Sequence, residues 1–536
     1  MSGLSQSRKG QARLRCLELV GLPEERRGKD WIRGWMSAKY PWVRVEEVIL
    51  TFNTHRLWKL VRQETNLIRT LAECRQGETA PCCRMTQRQV SVKEFYKKML
   101  DETREKILHE SIMCLEAPMD TAFVILAREK DAADVVTFED TVGVKTNDFR
   151  VSLATEVEDI QWQNFQSPDW LFWKRVVVNL LLFLITWGLT TPEHIAQVLI
   201  WIFPTSKVQS ETARIYLLVL ILNLSSKTCA WLMNIGIEFL GYWKKSTINH
   251  TIFMELTAYI LVTILLLPTL GFITIYHFLE FLVRLVSATI SLDEMSQSVT
   301  PQWFCIFLPQ GGRFYATYMM TTALTGNVLS LFRLKDKVAF LGRVFGARSM
   351  AEVRARFNQL GPTSHPCWFG EEYAQLMLHL YITVCLMTAF PILAPIGLLY
   401  FVVKHLVDLF SFKQSCLHPT KINMDHVASS ISFTVGSSVA LQFYNFLYIV
   451  NNSIHLEVTS EIVGFVAIAS LTFLFIQMAS GWSWPLALIP KEEDLLDKTW
   501  CDDHEEDMST SAARESFWPP YLVKLPLMIR WNNSVV

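Results

Sequence analysis

The sequence has little charge for its length and almost no net charge. Charged residues make up 19% of its 536 residues, and the formal net charge is −1. Soluble chains typically carry about 25% charged residues. Binding to nucleic acid needs a concentrated positive surface, so this balance argues against a nucleic-acid-binding protein.

The motifs of several enzyme classes are also absent. The chain contains no phosphate-cradling glycine-rich loop, no HExxH metalloprotease pair and no nucleophile elbow. Among its 11 cysteines the one close pair is Cys82 and Cys83, and no second pair stands at zinc-ligand spacing. Residues 1–11 are polar and basic, without the apolar stretch of a secretory signal. We therefore predict neither an enzyme, a metal site, a cofactor nor a disulfide scaffold.

The middle of the chain consists of long apolar runs instead. About 20 apolar residues in a helix cross the roughly 30 Å of hydrocarbon in a bilayer. This criterion predicts a polytopic α-helical membrane protein whose membrane module covers 166–485. The predicted spans, about eight in number, are 171–191, 214–242, 252–282, 314–332, 373–389, 394–411, 428–450 and 461–482. The fifth and sixth spans form a tight hairpin, and Pro268 with Gly271 is expected to kink the third.

The distribution of positive charge predicts the orientation of the spans. The loop after the fourth span is rich in Lys and Arg, namely Arg333, Lys335, Lys337, Arg343, Arg348, Arg354 and Arg356. Because Lys and Arg concentrate in cytosolic loops, this loop and both termini are placed in the cytosol. The loop around 451–453 has neither residue and begins a glycosylation sequon, which makes Asn451 a glycosylation candidate on the outside.

Residues 1–165 are predicted to form a cytosolic α+β domain. The predicted strands are Cys16–Leu22, Val45–Phe52, Thr121–Arg128 and Phe149–Glu156, and the predicted helices are Lys29–Lys39, His55–Gln76 and Val92–Met113. Their order is that of a ferredoxin-like sandwich. The third strand resembles the end of an RNA-recognition motif, but Leu126 stands where a stacking aromatic is needed, so no nucleic-acid partner is predicted. The tail 486–536 is acidic and aperiodic, which predicts disorder.

Several predicted spans carry their polar residues along one face. The candidates are Asn223, Lys227, Asn234 and Glu238 in the second span, Thr317, Thr321, Thr325, Gly326 and Asn327 in the fourth, and Glu372, Gln375, His379 and Thr383 in the fifth. Polar groups are costly in hydrocarbon, so faces that meet in this way indicate a hydrated passage. These polar faces carry charges of both signs, so they do not indicate which ion or molecule passes.

Each polar face also has a purely structural interpretation. Lys227 could form an ion pair with Glu255 or Glu280 of the third span instead of lining a passage. The threonines could form a small-residue packing face between helices. A histidine such as His379 is often a satisfied interhelical group. Gly326 is a candidate hinge, because a bent membrane helix needs a cavity or a neighbour to satisfy its freed backbone groups. These alternatives stay open at this point.

Longer motifs resemble those of a known family. Residues 307–312 read Phe-Leu-Pro-Gln-Gly-Gly and lead into 314–333, and Ala394–Tyr400 is followed by Lys404–Asp408. The supporting motifs are residues 159–164, 189–192 and 267–271. Together they resemble the OSCA/CSC-like osmosensitive, calcium-permeable cation channels, in their animal TMEM-sixty-three branch.

The resemblance implies a structure and an activity. The structure is an anoctamin/OSCA-like bundle, with a cytosolic domain like an RNA-recognition motif placed before the pore module. The activity is a mechanosensitive, osmosensitive cation channel that passes calcium and is gated by membrane tension. Phe314–Arg333 resembles the pore helix, with Tyr318 at a family position, Gly326 as its hinge, and Thr321, Thr325 and Asn327 on the conducting helix.

The resemblance leaves alternatives and implies partners. A phospholipid scramblase and a non-conducting short form that regulates full-length relatives are the two alternatives. Membrane lipids and permeant cations are the expected partners, and both a homodimer and association with full-length relatives are open. The expected location is the plasma membrane, with an endolysosomal membrane as the alternative.

Two departures from the family pattern affect these expectations. Relatives carry about three further spans ahead of the cytosolic domain, whereas this sequence starts directly at that domain. Ser330 stands where relatives typically have an acidic residue, and Lys227 adds a cation nearby. The resemblance therefore supports channel activity more strongly than calcium selectivity.

Overall fold

A computed structural model describes the chain over residues 15–75, 92–115, 118–142, 149–155, 157–165, 240–266, 309–332, 349–359, 369–414 and 424–452, with isolated helical residues elsewhere. These residues form an N-terminal α/β domain and a set of long helices. The predicted first, second and eighth spans lie largely outside the described residues, and the acidic tail lies wholly outside them. The second part of the third span, with the kink predicted at Pro268 and Gly271, also lies outside them.

The N-terminal domain contains one four-stranded sheet. Its strands are β1 (Cys16–Val20), β2 (Val45–Phe52), β3 (Pro118–Leu126) and β4 (Arg150–Leu153). The strand order is β2-β3-β1-β4, and every neighbouring pair is antiparallel. Each predicted strand is present, with small shifts at its ends.

Helices cover both faces of this sheet. They are α1 (Lys29–Lys39), α2 (His55–Ala72), α3 (Val92–Leu115) and α4 (Glu129–Val142). Because successive strand residues point to opposite faces, Ala122 and Val124 pack with α1 and α4, while Phe123 and Ile125 pack with α2. The sheet is therefore apolar on both sides. Helices α2 and α3 form a hairpin inserted between β2 and β3.

The sequence prediction missed α4. The run Val135-Val136-Thr137 is β-branched and lowers helix propensity, which hides the helical period. Two signals were available. Glu129 and Asp131 place negative charge in the first turn, where the helix dipole favours it. Ala132 and Val135 are both buried and three residues apart.

The rest of the described chain is helical. Its helices are α5 (Lys245–Ile260), which continues as a π-helix over Leu261–Leu266, α6 (Pro309–Thr321), a π-helix over Thr322–Gly326, α7 (Asn327–Leu331), α8 (Met350–Gln359), α9 (Phe369–Leu386), α10 (Leu393–Gln414) and α11 (Met424–Asn452). Among the described residues, Lys245–Leu266 and Leu393–Phe410 are long and apolar enough to cross a membrane by length and composition.

Two described helices extend beyond the predicted spans. Helix α5 begins at Lys245, ahead of the span predicted from 252, and α11 begins at Met424, ahead of the span predicted from 428. Helical hydrogen bonding continues into polar flanking residues that an apolar window leaves out. Helix α11 also runs through Asn452, so Asn451 lies in its last turn and not in a loop.

Helix α9 lies at the centre of the helical core. It packs against α5, α10 and α11, while α6 and α7 pack against α10. Phe253, Tyr318 and Leu378 are fully buried in the cluster that these helices share. The fold thus places the predicted fourth and fifth spans and the hairpin partner α10 next to one another.

Candidate functional site

The predicted fourth span is one continuous helix interrupted by a π-helical turn. We call Pro309–Leu331 the interrupted helix. Its π-helical turn covers Thr322–Gly326, where an extra residue widens the backbone. Two side chains satisfy carbonyls in this region: the Thr322 hydroxyl donates to the Tyr318 carbonyl at 2.6 Å, and the Asn327 amide donates to the Ala323 carbonyl at 2.7 Å. Turns of this kind in membrane helices persist where neighbours satisfy the backbone.

The predicted lining residues of this helix have different environments. Thr317, Thr321 and Gly326 are half-buried, and Thr317 donates its hydroxyl to the Arg313 carbonyl at 2.7 Å. Tyr318 and Asn327 are buried. The side chain of Thr325 lies outside the described residues, as do Asn223, Lys227, Asn234 and Glu238 of the second span.

An aromatic stack joins the interrupted helix to its neighbours. His379 of α9 stacks on Tyr400 of α10, with ring centroids 3.8 Å apart and an interplanar angle of 6°. The His379 ring also stacks on the ring of Tyr318 in the interrupted helix, with centroids 6.0 Å apart and an interplanar angle of 23°. One ring nitrogen of His379, Nδ1, is 2.7 Å from the Gln375 carbonyl, so this nitrogen carries the proton in that contact. The structure therefore brings together three predicted site residues, Tyr318, Gln375 and His379, in a buried contact between helices.

Two glycines let the helices approach closely. A Cβ added to Gly312 would lie 2.3 Å from the Phe390 ring. A Cβ added to Gly397 would lie 2.4 Å from the Thr383 hydroxyl, and that hydroxyl also contacts the Met319 sulfur at 3.9 Å. Both glycines belong to motifs that carried the family resemblance, and close helix packing is a physical reason for them.

Sequence reasoning missed an ion cluster between α9 and α10, in which a buried lysine meets two partly exposed carboxylates. The Lys404 ammonium is 2.6 Å from Glu372 Oε2 and 2.7 Å from Asp408 Oδ1. Lys404 is 4% exposed, so the two carboxylates offset the cost of burying its charge. The available signal was the four-residue spacing of Lys404 and Asp408 in an apolar helix.

A second missed contact joins the interrupted helix to α5. The buried Tyr315 hydroxyl donates to the Ile264 carbonyl at 3.3 Å. Ile264 lies in the π-helical continuation of α5, so this hydrogen bond ties the interrupted helix to that continuation. Among the described residues no group of three or more His, Cys, Asp or Glu is placed to hold a metal ion.

Comparison with known families identifies this arrangement. Residues 174–455, which contain the interrupted helix and the α9–α10 hairpin, match the family described as "Calcium-dependent channel, 7TM region, putative phosphate". The chain belongs to this calcium-dependent channel family. Residues 15–164 match "Cytosolic domain of 10TM putative phosphate transporter". A calcium-dependent channel of this family is a multi-span membrane protein with an N-terminal cytosolic domain, which confirms the resemblance drawn from the motifs.

Individual members of the calcium-dependent channel family are also similar to this chain. The osmosensitive cation channel TMEM63C of Danio rerio is 25% identical over 472 residues, which cover 80% of this chain and 54% of the relative. The mechanosensitive cation channel TMEM63B of Gallus gallus is 23% identical, covering 66% of this chain and 45% of the relative. The mechanosensitive cation channel TMEM63A of Mus musculus is 23% identical, covering 81% of this chain and 57% of the relative. The chain spans about half the length of the curated relatives it matches.

Proposed function

We propose that this chain is a subunit of a cation channel gated by membrane tension or osmotic change, with calcium among its permeant ions. The observation that carries the proposal is the π-helical turn in the interrupted helix, which lies inside the region matched by the channel family. A π-helical turn accommodates about one residue more than an α-helical turn, and such turns are frequent at functional sites. We propose that gating converts this turn to a regular helix. That conversion would rotate one end of the helix relative to the other.

The proposed conduction pathway follows the half-buried side of the interrupted helix. Thr317, Thr321 and Gly326 lie on that helix, and Thr383 lies on α9 beside it. In this proposal Gly326 is the hinge, and Thr325 and Asn327 belong to the same conducting segment. The buried residues Tyr318, Gln375 and His379 then hold the helix in place rather than contact ions, because their side chains are enclosed by α9 and α10.

Contacts with the N-terminal domain support the proposed orientation. The domain contacts the start of α5 and also α8, in the positively charged loop after the interrupted helix. Both regions therefore lie on the same side as the domain. We propose that this side is cytosolic, that both termini lie there, and that about eight spans cross the plasma membrane. We further propose that the domain has the RRM-like, ferredoxin-like fold, which its strand order supports.

The proposed partners are membrane lipids and permeant cations, with a homodimer or an association with full-length relatives as further proposals. The curated relatives are named as cation channels, which favours conduction over lipid scrambling. A regulatory short form would be silent alone and would alter the currents of a full-length relative on co-expression.

The test is current evoked by pressure in patches of channel-deficient cells that express the chain. Thr321→Cys and Thr325→Cys each introduce a thiol on the proposed pathway, and a charged thiol reagent should reduce the current. Met350→Cys is the matched control, because Met350 is 66% exposed on α8, outside the proposed spans, and its modification should leave the current unchanged. The unsubstituted chain controls for its own cysteines. Absence of pressure-evoked current, or equal effects at all three positions, would contradict the proposal.

A further inference from the structure

The cytosolic domain meets the start of α5 through the segment that follows β4. Ile160 forms an isolated antiparallel bridge with Lys244. The Gln161 amide donates to the Trp243 carbonyl at 2.6 Å. The Trp243 ring also stacks on Phe165, with centroids 5.0 Å apart. This junction joins two parts of the chain that lie far apart in sequence, and it contains the motif 159–164.

An acidic residue of the domain caps α5 at this junction. The first amides of a helix have no partner inside the helix, and a side chain usually caps them. Lys244, the residue before α5, provides no capping side chain. Instead Asp159 Oδ1 accepts from the Ser246 amide at 2.7 Å, and Asp159 Oδ2 accepts from the Ser246 hydroxyl at 2.5 Å. Asp159 is buried and lies 87 residues earlier in the chain. The carboxylate also stands at the helix end where negative charge is favourable.

A second buried carboxylate fixes the residue next to the helix. Glu18 of β1 is 1% exposed and accepts from the Thr155 amide at 3.2 Å and the Thr155 hydroxyl at 2.8 Å. Its Oε1 is 3.0 Å from the Lys244 ammonium. That ammonium lies 4.6 Å from the centroid of the Trp243 ring. Because a buried carboxylate needs such partners, the pair holds Lys244 against a central strand of the sheet.

We propose that Asp159 and Glu18 are positioning residues that set the cytosolic start of α5, so that its first turn is ordered only while the domain is docked. The motif at 159–164 then has a physical role, which is to hold this junction closed. Helix α5 packs along α9, which carries His379, and its π-helical continuation accepts a hydrogen bond from Tyr315 of the interrupted helix, so the junction holds the start of a helix that contacts the interrupted helix. Its effect on gating rests on the proposed channel function; its effect on α5 does not.

Hydrogen exchange of the full chain in lipid nanodiscs tests the cap directly. Asp159→Ala should raise exchange of the amides of residues 245–249 by about 2–30-fold, the effect of losing one N-cap. Asp159→Asn keeps acceptor and hydrogen-bonding capacity toward Ser246 and should stay near the parent. Asp134→Ala, an exposed acidic residue on α4, is the matched control. Equal exchange in Asp159→Ala and Asp134→Ala would overturn the proposal. If Asp159→Ala does not fold, Asp159→Ser replaces it: one hydroxyl on a shorter side chain stands in for the two carboxylate oxygens that hold Ser246, so exchange at 245–249 should exceed that of Asp159→Asn.

The ion pair gives an independent comparison in the same experiment. Lys244→Gln leaves the Glu18 charge buried without its cation, and exchange at 245–249 should rise. The double variant Glu18→Gln/Lys244→Gln restores a neutral hydrogen-bonding pair and should bring exchange back toward the parent. A double variant that exchanges as fast as Lys244→Gln alone would overturn the role of Glu18.

Pressure-clamped patches then test the consequence for gating. Asp159→Ala should shift the pressure of half-activation, while Asp159→Asn and Asp134→Ala should not. A shift common to all three variants, or to none, would overturn the gating role. If the parent chain gives no pressure-evoked current, the proposed function fails, and the exchange measurements alone decide whether Asp159 caps α5.

Discussion

At the scale of single residues, glycines allow close contacts between helices, because a glycine carries only a hydrogen atom where other residues have a Cβ. Gly397 of α10 faces Thr383 of α9, and an added methyl group would overlap the threonine hydroxyl. Such overlap in a packed core costs about 1–3 kcal/mol. The glycine therefore sets the spacing of the hairpin that supports the interrupted helix.

We expect Gly397→Ala to lower the melting temperature of the purified chain, because the new methyl group forces α9 and α10 apart. Thr383→Ala removes the overlapping hydroxyl and methyl groups, so the double variant should recover part of the loss. Gly342→Ala is the control, since no atom lies within 4 Å of its added Cβ. Equal melting temperatures for Gly397→Ala and Gly342→Ala would contradict this packing.

One histidine of the cytosolic domain contributes to the pH dependence of the domain's stability. Burial lowers the pKa of His55, and the nearby Lys59 adds to the shift. The unfolded chain then binds the proton more readily than the folded domain. The contribution of neutral His55 to the stability of the domain is therefore present at pH values above the ordinary imidazole pKa of about 6.5, and it is lost as the pH falls below that pKa.

We expect His55→Asn to reduce the loss of stability on acidification, because asparagine cannot titrate there yet can still donate to the Gln163 carbonyl, the contact that His55 Nδ1 makes at 3.1 Å. Denaturant unfolding of the full chain above and below the imidazole value measures this difference. His109→Asn, at an exposed position on α3, should leave the difference unchanged. An unchanged pH dependence in His55→Asn would show that other groups cause it.

At the scale of elements, strands and helices with a periodic apolar pattern could be predicted from the sequence, whereas features that depend on contacts between distant residues could not. The strands and α1 follow from alternating or helical apolar patterns, so they were predicted closely. The π-helical turn was foreseen only as an interruption at Gly326-Asn327, because its stability comes from hydrogen bonds of Thr322 and Asn327. The contact of Lys404 with Glu372 and the Asp159 cap join residues far apart in sequence, which no local pattern can pair.

We expect Asn327→Leu to convert the π-helical turn toward a regular helix, because the Ala323 carbonyl loses its side-chain donor. An unpaired buried carbonyl costs about 1–3 kcal/mol. One residue fewer in the turn rotates the following segment by about 100°. The thiol reactivity of Val328→Cys, now 46% exposed, should then change, while that of Met320→Cys, before the turn, should not. Unchanged reactivity at Val328→Cys would contradict the account of the turn.

At the scale of the whole molecule, the cytosolic domain contacts the start of α5 and, over the part of the chain that the structure describes, also α8. At α8, Ala351 is fully buried against Leu67, Tyr96 and Leu100 of the α2–α3 hairpin. The Tyr96 hydroxyl also hydrogen-bonds to Ser349 at 2.9 Å. Domain and helices therefore form one connected structure over the described residues.

We expect Ala351→Glu to detach the hairpin from α8, because it places a carboxylate in an apolar contact without a partner. Hydrogen exchange of residues 92–100 should rise while exchange in β1 and β3 stays at the parent level. Met350→Glu, at a position that is 66% exposed on the same helix, is the control. A uniform rise across the sheet would indicate general unfolding instead of detachment.

We expect this chain to conduct cations in response to membrane tension. The most direct measurement uses the purified chain, reconstituted alone into liposomes and subjected to stepped negative pressure under voltage clamp. The account predicts a pressure-dependent cation current that a charged thiol reagent reduces when Thr321 is replaced by cysteine. Silent patches, recorded beside a full-length relative that conducts under the same pressure, would contradict it.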